Sequence, residues 1–183
     1  MDTLSIDGLI RHLADGNTAR YLYFWGHKQR GTVVDQSCLS QWFPARFEQS
    51  GHSFPTAEHF MMWRKAEIFH DSETAAAILD VDSPGAAKAL GRRVRDFDED
   101  TWVEYRWDVV VSGNLAKFSC TPALGKYLLA TGRSVLVEAS PHDRIWGIGM
   151  DKTEAMSVTP DRWQGENILG FALMEVRDRL RKQ

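Results

Sequence analysis

The stretch HSFPTAEHFMMWRKAEIF, residues 52–69, joins a helix start signal to an unusual set of charged and aromatic groups. Pro55 can hold the fixed φ of a first helical turn and Thr56 or Ser53 can cap it, so the spacing predicts a helix running through Met61, Met62, Trp63 and Ala66. At 3.6 residues per turn Glu58, Met62, Lys65 and Phe69 share one face. That puts a carboxylate and an amine two turns apart, about 10 Å along the axis. Such a pair either brackets a small ligand or is merely solvated while Phe60, Met61 and Trp63 fill the core.

Working outward, the 183 residues suit one compact domain over 1–183, with 1–20 an N-terminal extension packed on it. Seven Trp and nine Phe within a 43% hydrophobic composition supply a core without a disulfide staple, and Trp also makes stacking platforms for planar ligands. The net charge of −3 and the scattered Lys and Arg give no basic stripe for tracking a nucleic-acid backbone. They leave room for a nucleotide-sized ligand. Cys38 and Cys120 lack CxxC spacing and read as reduced, buried thiols of a cytoplasmic protein, with neither metal nor cofactor expected. MDTLSIDGLIRHLADGN, with Asp2, Asp7, Arg11 and Asp15, lacks the apolar core of a secretory signal, and no run approaches 18 apolar residues, so no membrane partner is expected.

Leu4 to Ala14 reads as a short amphipathic helix and Tyr21 to Trp25 as a buried strand, followed by the polar loop His27 to Gly31. Arg46 to Phe54 reads as a hairpin turning at Ser50-Gly51. Helices follow over Glu73 to Leu79 and Gly85 to Arg95, the latter with Ser83 as N-cap and Pro84 at its first position. Arg92, Arg93 and Arg95 fall in its last turns, where they complement the helix C-terminus or grip a phosphate. Asp98 to Phe118 is the longest helical pattern, its apolar side read from Trp102, Tyr105, Val109 and Ala116. Trp102 is either a core anchor or the rim of a pocket. Pro122 to Thr131 is a short helix with Gly132 after it, and Val135 to Glu138 is a strand pairing with Tyr21 to Trp25. Met150 to Gln164 reads as a loop. Asn167 to Leu180 is a last helix that exposes Arg177, Asp178 and Arg179. The sum is α+β, mainly helical with a few short strands.

The chain has neither GxSxG nor a P-loop, and neither HExxH nor CxxC. What remains is dispersed: Glu58 and Asp143 as a carboxylate pair, Lys65 as an amine, Trp102 and Trp146 as stacking planes, Arg92 as an anion clamp. Gly147 and Gly149, flanking Ile148, permit a close backbone approach to a ligand. Two carboxylates about an anomeric carbon can break a glycosidic bond, and a desolvated lysine can form an imine with the ring-opened sugar.

FWGH (24–27), LSQWFPARF (39–47), FPTAEHFMMWRKAEIF (54–69), SPGAAKALGRRVR (83–95), NLAKF (114–118), LLATG (128–132) and LVEASPHDRIWGIG (136–149) resemble the NADAR family, also called YbiA-like. Its PTxEH helix and DxxWGxG loop are the most specific parts. The resemblance implies an N-glycosidase acting where a ribose carbon is bonded to a nitrogen of a planar base. It assigns catalysis to Glu58, Asp143 and an imine-forming lysine, Lys65 or Lys28. Substrate contacts fall on Trp25, Gly26, His27, Trp42, Trp102, Trp146, Gly147 and Gly149, with Arg92 and backbone amides near Gly147 on phosphate. The FWGH opening and SQW in place of SNF resemble the branch linked to ADP-ribosylation. The expected substrate is therefore ADP-ribose on a guanine nucleotide or DNA. The alternatives are a phosphorylated ribosyl-pyrimidine of the riboflavin pathway, or an ADP-ribose- or NAD-binding module without catalysis.

Overall fold

Side-chain oxygens open most of the helices, and they fix where each begins. The computed structural model describes residues 3–29 and 31–182; Arg30 of the polar loop, residues 1–2 of the N-terminal extension and Gln183 lie outside the described residues. Eight α-helices and two two-stranded sheets make an α+β architecture among them. By contacts the chain divides into two units, Met1–Ser40 with Lys126–Gln183, and Gln41–Gly125.

In the first unit β1 (Tyr21–Phe24) pairs in parallel with β4 (Val135–Glu138), Tyr21 opposite Val135 and Phe24 opposite Glu138. Val135, Leu136 and Val137 are all buried, the continuous apolar run of a strand covered on both faces. The expected pairing holds, but Trp25 lies beyond the strand and is 58% exposed. α1 (Ile6–Ala14), capped by Ser5, packs on a 3-10 turn at Pro160–Arg162. That turn and α7 (Lys152–Ala155) occupy the segment expected to be loop; Asp151 caps α7 through the Glu154 amide. A second 3-10 turn, Gln36–Leu39, is capped by Asp35.

α8 (Ile168–Leu180) packs on β4, and Asn167 joins them. Its amide oxygen accepts the Glu138 N–H at 3.0 Å while its nitrogen donates to the Leu136 carbonyl at 2.9 Å. Arg177 is not exposed as expected. It is buried and donates to Thr131 Oγ1 and the Ser134 carbonyl, tying α8 to the turn that precedes β4. The boundary between the units falls inside α6 (Pro122–Ala130), after which Gly132 takes the left-handed conformation, φ +62°.

In the second unit β2 (Phe47–Gln49) and β3 (His52–Phe54) form the expected hairpin. Ser50 and Gly51 both take positive φ, 53° and 78°, which matches the twist of the strands they join. α2 (Ala57–Ile68) packs against α3 (Ser72–Leu79), α4 (Pro84–Gly91) and α5 (Glu99–Cys120). Phe54, Phe60 and Trp63 gather where α2 meets the hairpin, with ring centroids 5.2–6.2 Å apart.

Four expectations are corrected in this unit. Thr56 is the N-cap of α2, so Pro55 precedes the helix rather than opening it. α4 ends at Gly91, which lies against the Met62 side chain where a Cβ has no room, so Arg93 and Arg95 follow the helix instead of closing it. α5 buries Val109, Val110, Val111 and Phe118, whereas Tyr105 is exposed. Cys120 is exposed too, although Cys38, in the first unit, is buried. No helix among the described residues is long and apolar enough to cross a membrane.

Candidate active site

Glu58 occupies the first turn of α2 and is only 2% exposed. Its backbone N–H donates to the Gln41 carbonyl at 3.0 Å. The Gln41 side chain in turn accepts from Asn114 Nδ2 at 2.8 Å, and the same nitrogen donates to the Val110 carbonyl of α5. The helix start is locked a second time by His59. The Val81 carbonyl can only accept, so His59 Nε2 carries the proton (3.1 Å), and Nδ1 accepts from the Thr56 hydroxyl (2.7 Å). Burial lowers the His59 pKa, which favours this neutral form. The positive end of the α2 dipole favours negative charge where Glu58 sits.

Two turns on, Lys65 is half-buried with Nζ 3.7 Å from the Phe97 ring centroid and 5.8 Å from that of Trp102. Burial pulls its pKa below that of an ordinary lysine, against the opposing pull of Glu99. Trp102 is 7% exposed, so it is a core anchor whose ring also faces the amine. Trp42 is half-buried against α4, with Lys88 Nζ 5.9 Å from its ring. Exposed Arg92 caps α4 one turn after Lys88, on the same side of the helix. Arg95 is not an anion clamp: it is paired to Asp71 at 2.7 Å. Gln41, His59 and Lys88 escaped the sequence reading although all three lie within quoted motifs.

The first unit holds the remaining predicted residues. Asp143 Oδ1 accepts two backbone N–H groups, from Ile145 at 3.0 Å and Trp146 at 2.8 Å, so this carboxylate shapes its own loop. Trp146 is half-buried. The amides of Ile148 and Gly149 donate to the carbonyls of Glu138 and Asp143, each at 3.0 Å. The expected phosphate grip by amides near Gly147 is therefore not offered by Trp146, Ile148 or Gly149. A Cβ on Gly147 would lie 2.8 Å from the Glu138 carbonyl oxygen, so the loop itself requires that glycine. Gly149 has φ +68°. Trp25, Gly26, His27 and Lys28 line a cavity of about 490 Å³, and the Trp25 ring lies edge-on to His142 with centroids 6.5 Å apart.

A carboxylate held out of water and a desolvated amine on one helix are suited to substitution at an electrophilic sugar carbon. N-glycosidase R617 of Acanthamoeba polyphaga mimivirus is 39% identical over 166 residues, covering 88% of this chain and 96% of its own. N-glycosidase YbiA of Shigella flexneri serotype 5b is 32% identical over 149 residues, 81% of this chain and 84% of its own. The NMR structure of E. coli YbiA matches with a TM-score of 0.72 at 26% identity, over 91% of this chain and 88% of that one. The NADAR domain matches residues 23–181, and the chain belongs to this family, as an enzyme of the N-glycosidase class.

Proposed function

We propose that the enzyme removes ADP-ribose from guanine bases by cleaving the ribose–nitrogen bond. The observation that carries the reading is the placement of Glu58 in the first turn of α2, 2% exposed, with the depressed-pKa amine of Lys65 two turns away. As the bond from C1 to the base nitrogen breaks, its electron pair leaves with the base, which takes up a proton. The Glu58 carboxylate offsets the positive charge growing at C1.

The Lys65 amine then bonds to C1 and loses a proton, the ADP-ribosyl amine opens to an imine, and water releases ADP-ribose and free lysine. The low pKa supplies more free amine near neutral pH than a surface lysine would. Asp143 serves as the second acid: Oδ1 holds the loop, and the other oxygen relays the proton to the leaving base. Arg92 steadies phosphate. The two free thiols suit a reducing cytoplasm.

The test is incubation with ADP-ribosylated guanosine and, separately, with a phosphorylated ribosyl-aminopyrimidine, followed by mass spectrometry. Free ADP-ribose and unmodified guanosine are expected. Turnover of the pyrimidine alone would overturn the substrate, and turnover of neither would overturn the reading.

A further inference from the structure

The cavity in the first unit carries more recognition chemistry than the bond-breaking step uses. One wall is the segment after β1, with Trp25, His27, Lys28 and Gln29; the other is the capped 3-10 turn with Asp35, Gln36 and Ser37. Its volume of about 490 Å³ falls within the roughly 300–1,000 Å³ usual for small-ligand pockets. Trp25 offers an indole that is 58% exposed yet steadied by His142. Ser37 is 5% exposed, and its hydroxyl has no hydrogen-bond partner. A buried hydroxyl left without a partner is unusual, and here it belongs to a residue that lines the cavity.

The charges decide between ligands. Lys28 can take an anion, and Asp35, whose carboxylate accepts the Ser37 N–H at 2.9 Å, offers hydrogen-bond acceptors. A ligand with an anionic end, a hydroxyl-bearing middle and a flat ring meets all of these groups.

We propose that this cavity binds a nucleoside 5′-monophosphate moiety, with its ring on Trp25, its ribose hydroxyls on Asp35 and Ser37 and its phosphate on Lys28. The inference rests on the ADP-ribosyl reading for its source: the moiety is the adenylate half of ADP-ribose. Lys28 then has a binding role and not the imine role.

Calorimetric titration with AMP, adenosine, inorganic phosphate and a short single-stranded oligonucleotide tests it. AMP should bind at least tenfold more tightly than adenosine or phosphate. Trp25→Ala should weaken AMP about tenfold or more, in line with the loss of a stacked base. Ser37→Ala and Lys28→Gln should each weaken it several-fold with melting temperatures unchanged. Phosphate binding as well as AMP, or AMP affinity untouched by all three variants, would overturn the site. Trp25-dependent binding of the oligonucleotide in preference to AMP would overturn the adenylate source. Because AMP binding is read without turnover, it survives a failed glycosidase assay. Conversely, base release by an enzyme whose variants bind AMP normally would remove this inference alone.

Discussion

The two acids proposed for catalysis are held in opposite ways. Glu58 is positioned by its backbone: Gln41 takes its N–H, Thr56 and His59 fix the turn around it, and α3, α4 and α5 pack on the helix that carries it. Asp143 sits on a loop and is positioned by its own carboxylate, which gathers the amides of Ile145 and Trp146. A group built on a packed helix is set within tenths of an ångström by the scaffold, whereas a loop acid that also caps its turn couples its chemistry to its fold. On the proposed roles, Glu58 is the residue whose change should alter chemistry with least damage elsewhere.

Removing that charge gives the largest expected effect. Glu58→Gln keeps shape and polarity, so the melting temperature should stay within a few degrees while base release falls on the order of 10²–10⁴-fold, the range for a positioned acid–base group. Near-normal turnover would break the comparison at its stronger end. Lys65→Arg comes next. Borohydride added during turnover should leave a sugar adduct on the wild-type chain and none on the variant, with a rate loss on the order of 10–100-fold. Because burial lowers the Lys65 pKa, trapping should rise with pH through a midpoint below the roughly 10.4 of ordinary lysine. Glu99 raises that pKa, so Glu99→Gln should move the midpoint lower still. An adduct that disappears in Lys28→Gln and persists in Lys65→Arg would transfer the role.

These predictions lean on features that were unequally legible in the sequence. Strong local signals were readable: the Ser50-Gly51 turn, the pairing of the 21–25 segment with 135–138, and the cap Ser83 all rest on contacts a few residues apart or on a short apolar run. Arg177 was misread because a charge near the end of an amphipathic helix is usually solvated, and only the Thr131–Ser134 turn, more than forty positions away, supplies its partners. α7 was missed because a single turn is too short to show a period, although Asp151 and Glu154 have the spacing of a helix start. The site was legible as residue types in motifs. Its support was not, since the work of Gln41 is done by a carbonyl that no side-chain pattern reports.

Asp143 sharpens the contrast from its weaker end. Asp143→Asn keeps an oxygen for both amides, so the loop should persist. Asp143→Ala loses both bonds and should cost about 1–2 kcal/mol in chemical denaturation, as deleting a capping side chain does. If Asn is as stable as wild type but turns over tenfold or more slowly, the carboxyl has chemistry beyond its loop. If Asn retains full rate and Ala is merely unstable, Asp143 is structural and the carboxylate pair is dissolved.

Asp71 supplies the scale for a carboxylate whose work is wholly structural. It caps α3 through the Thr74 amide and takes the Arg95 side chain at 2.7 Å and its backbone N–H at 3.0 Å. The Arg95 guanidinium, first among these partners, holds the Asp71 carboxyl well below the usual carboxylate range. A group depressed in the folded state binds its proton more readily when unfolded, so its contribution is present above the ordinary carboxylate pKa of about 4 and fades as the pH falls below it. Wild-type melting temperature should therefore drop more steeply between about pH 5 and pH 2 than that of Asp71→Asn, with turnover at neutral pH the same in both. Parallel profiles would mean that Arg95 and Asp71 are apart in solution.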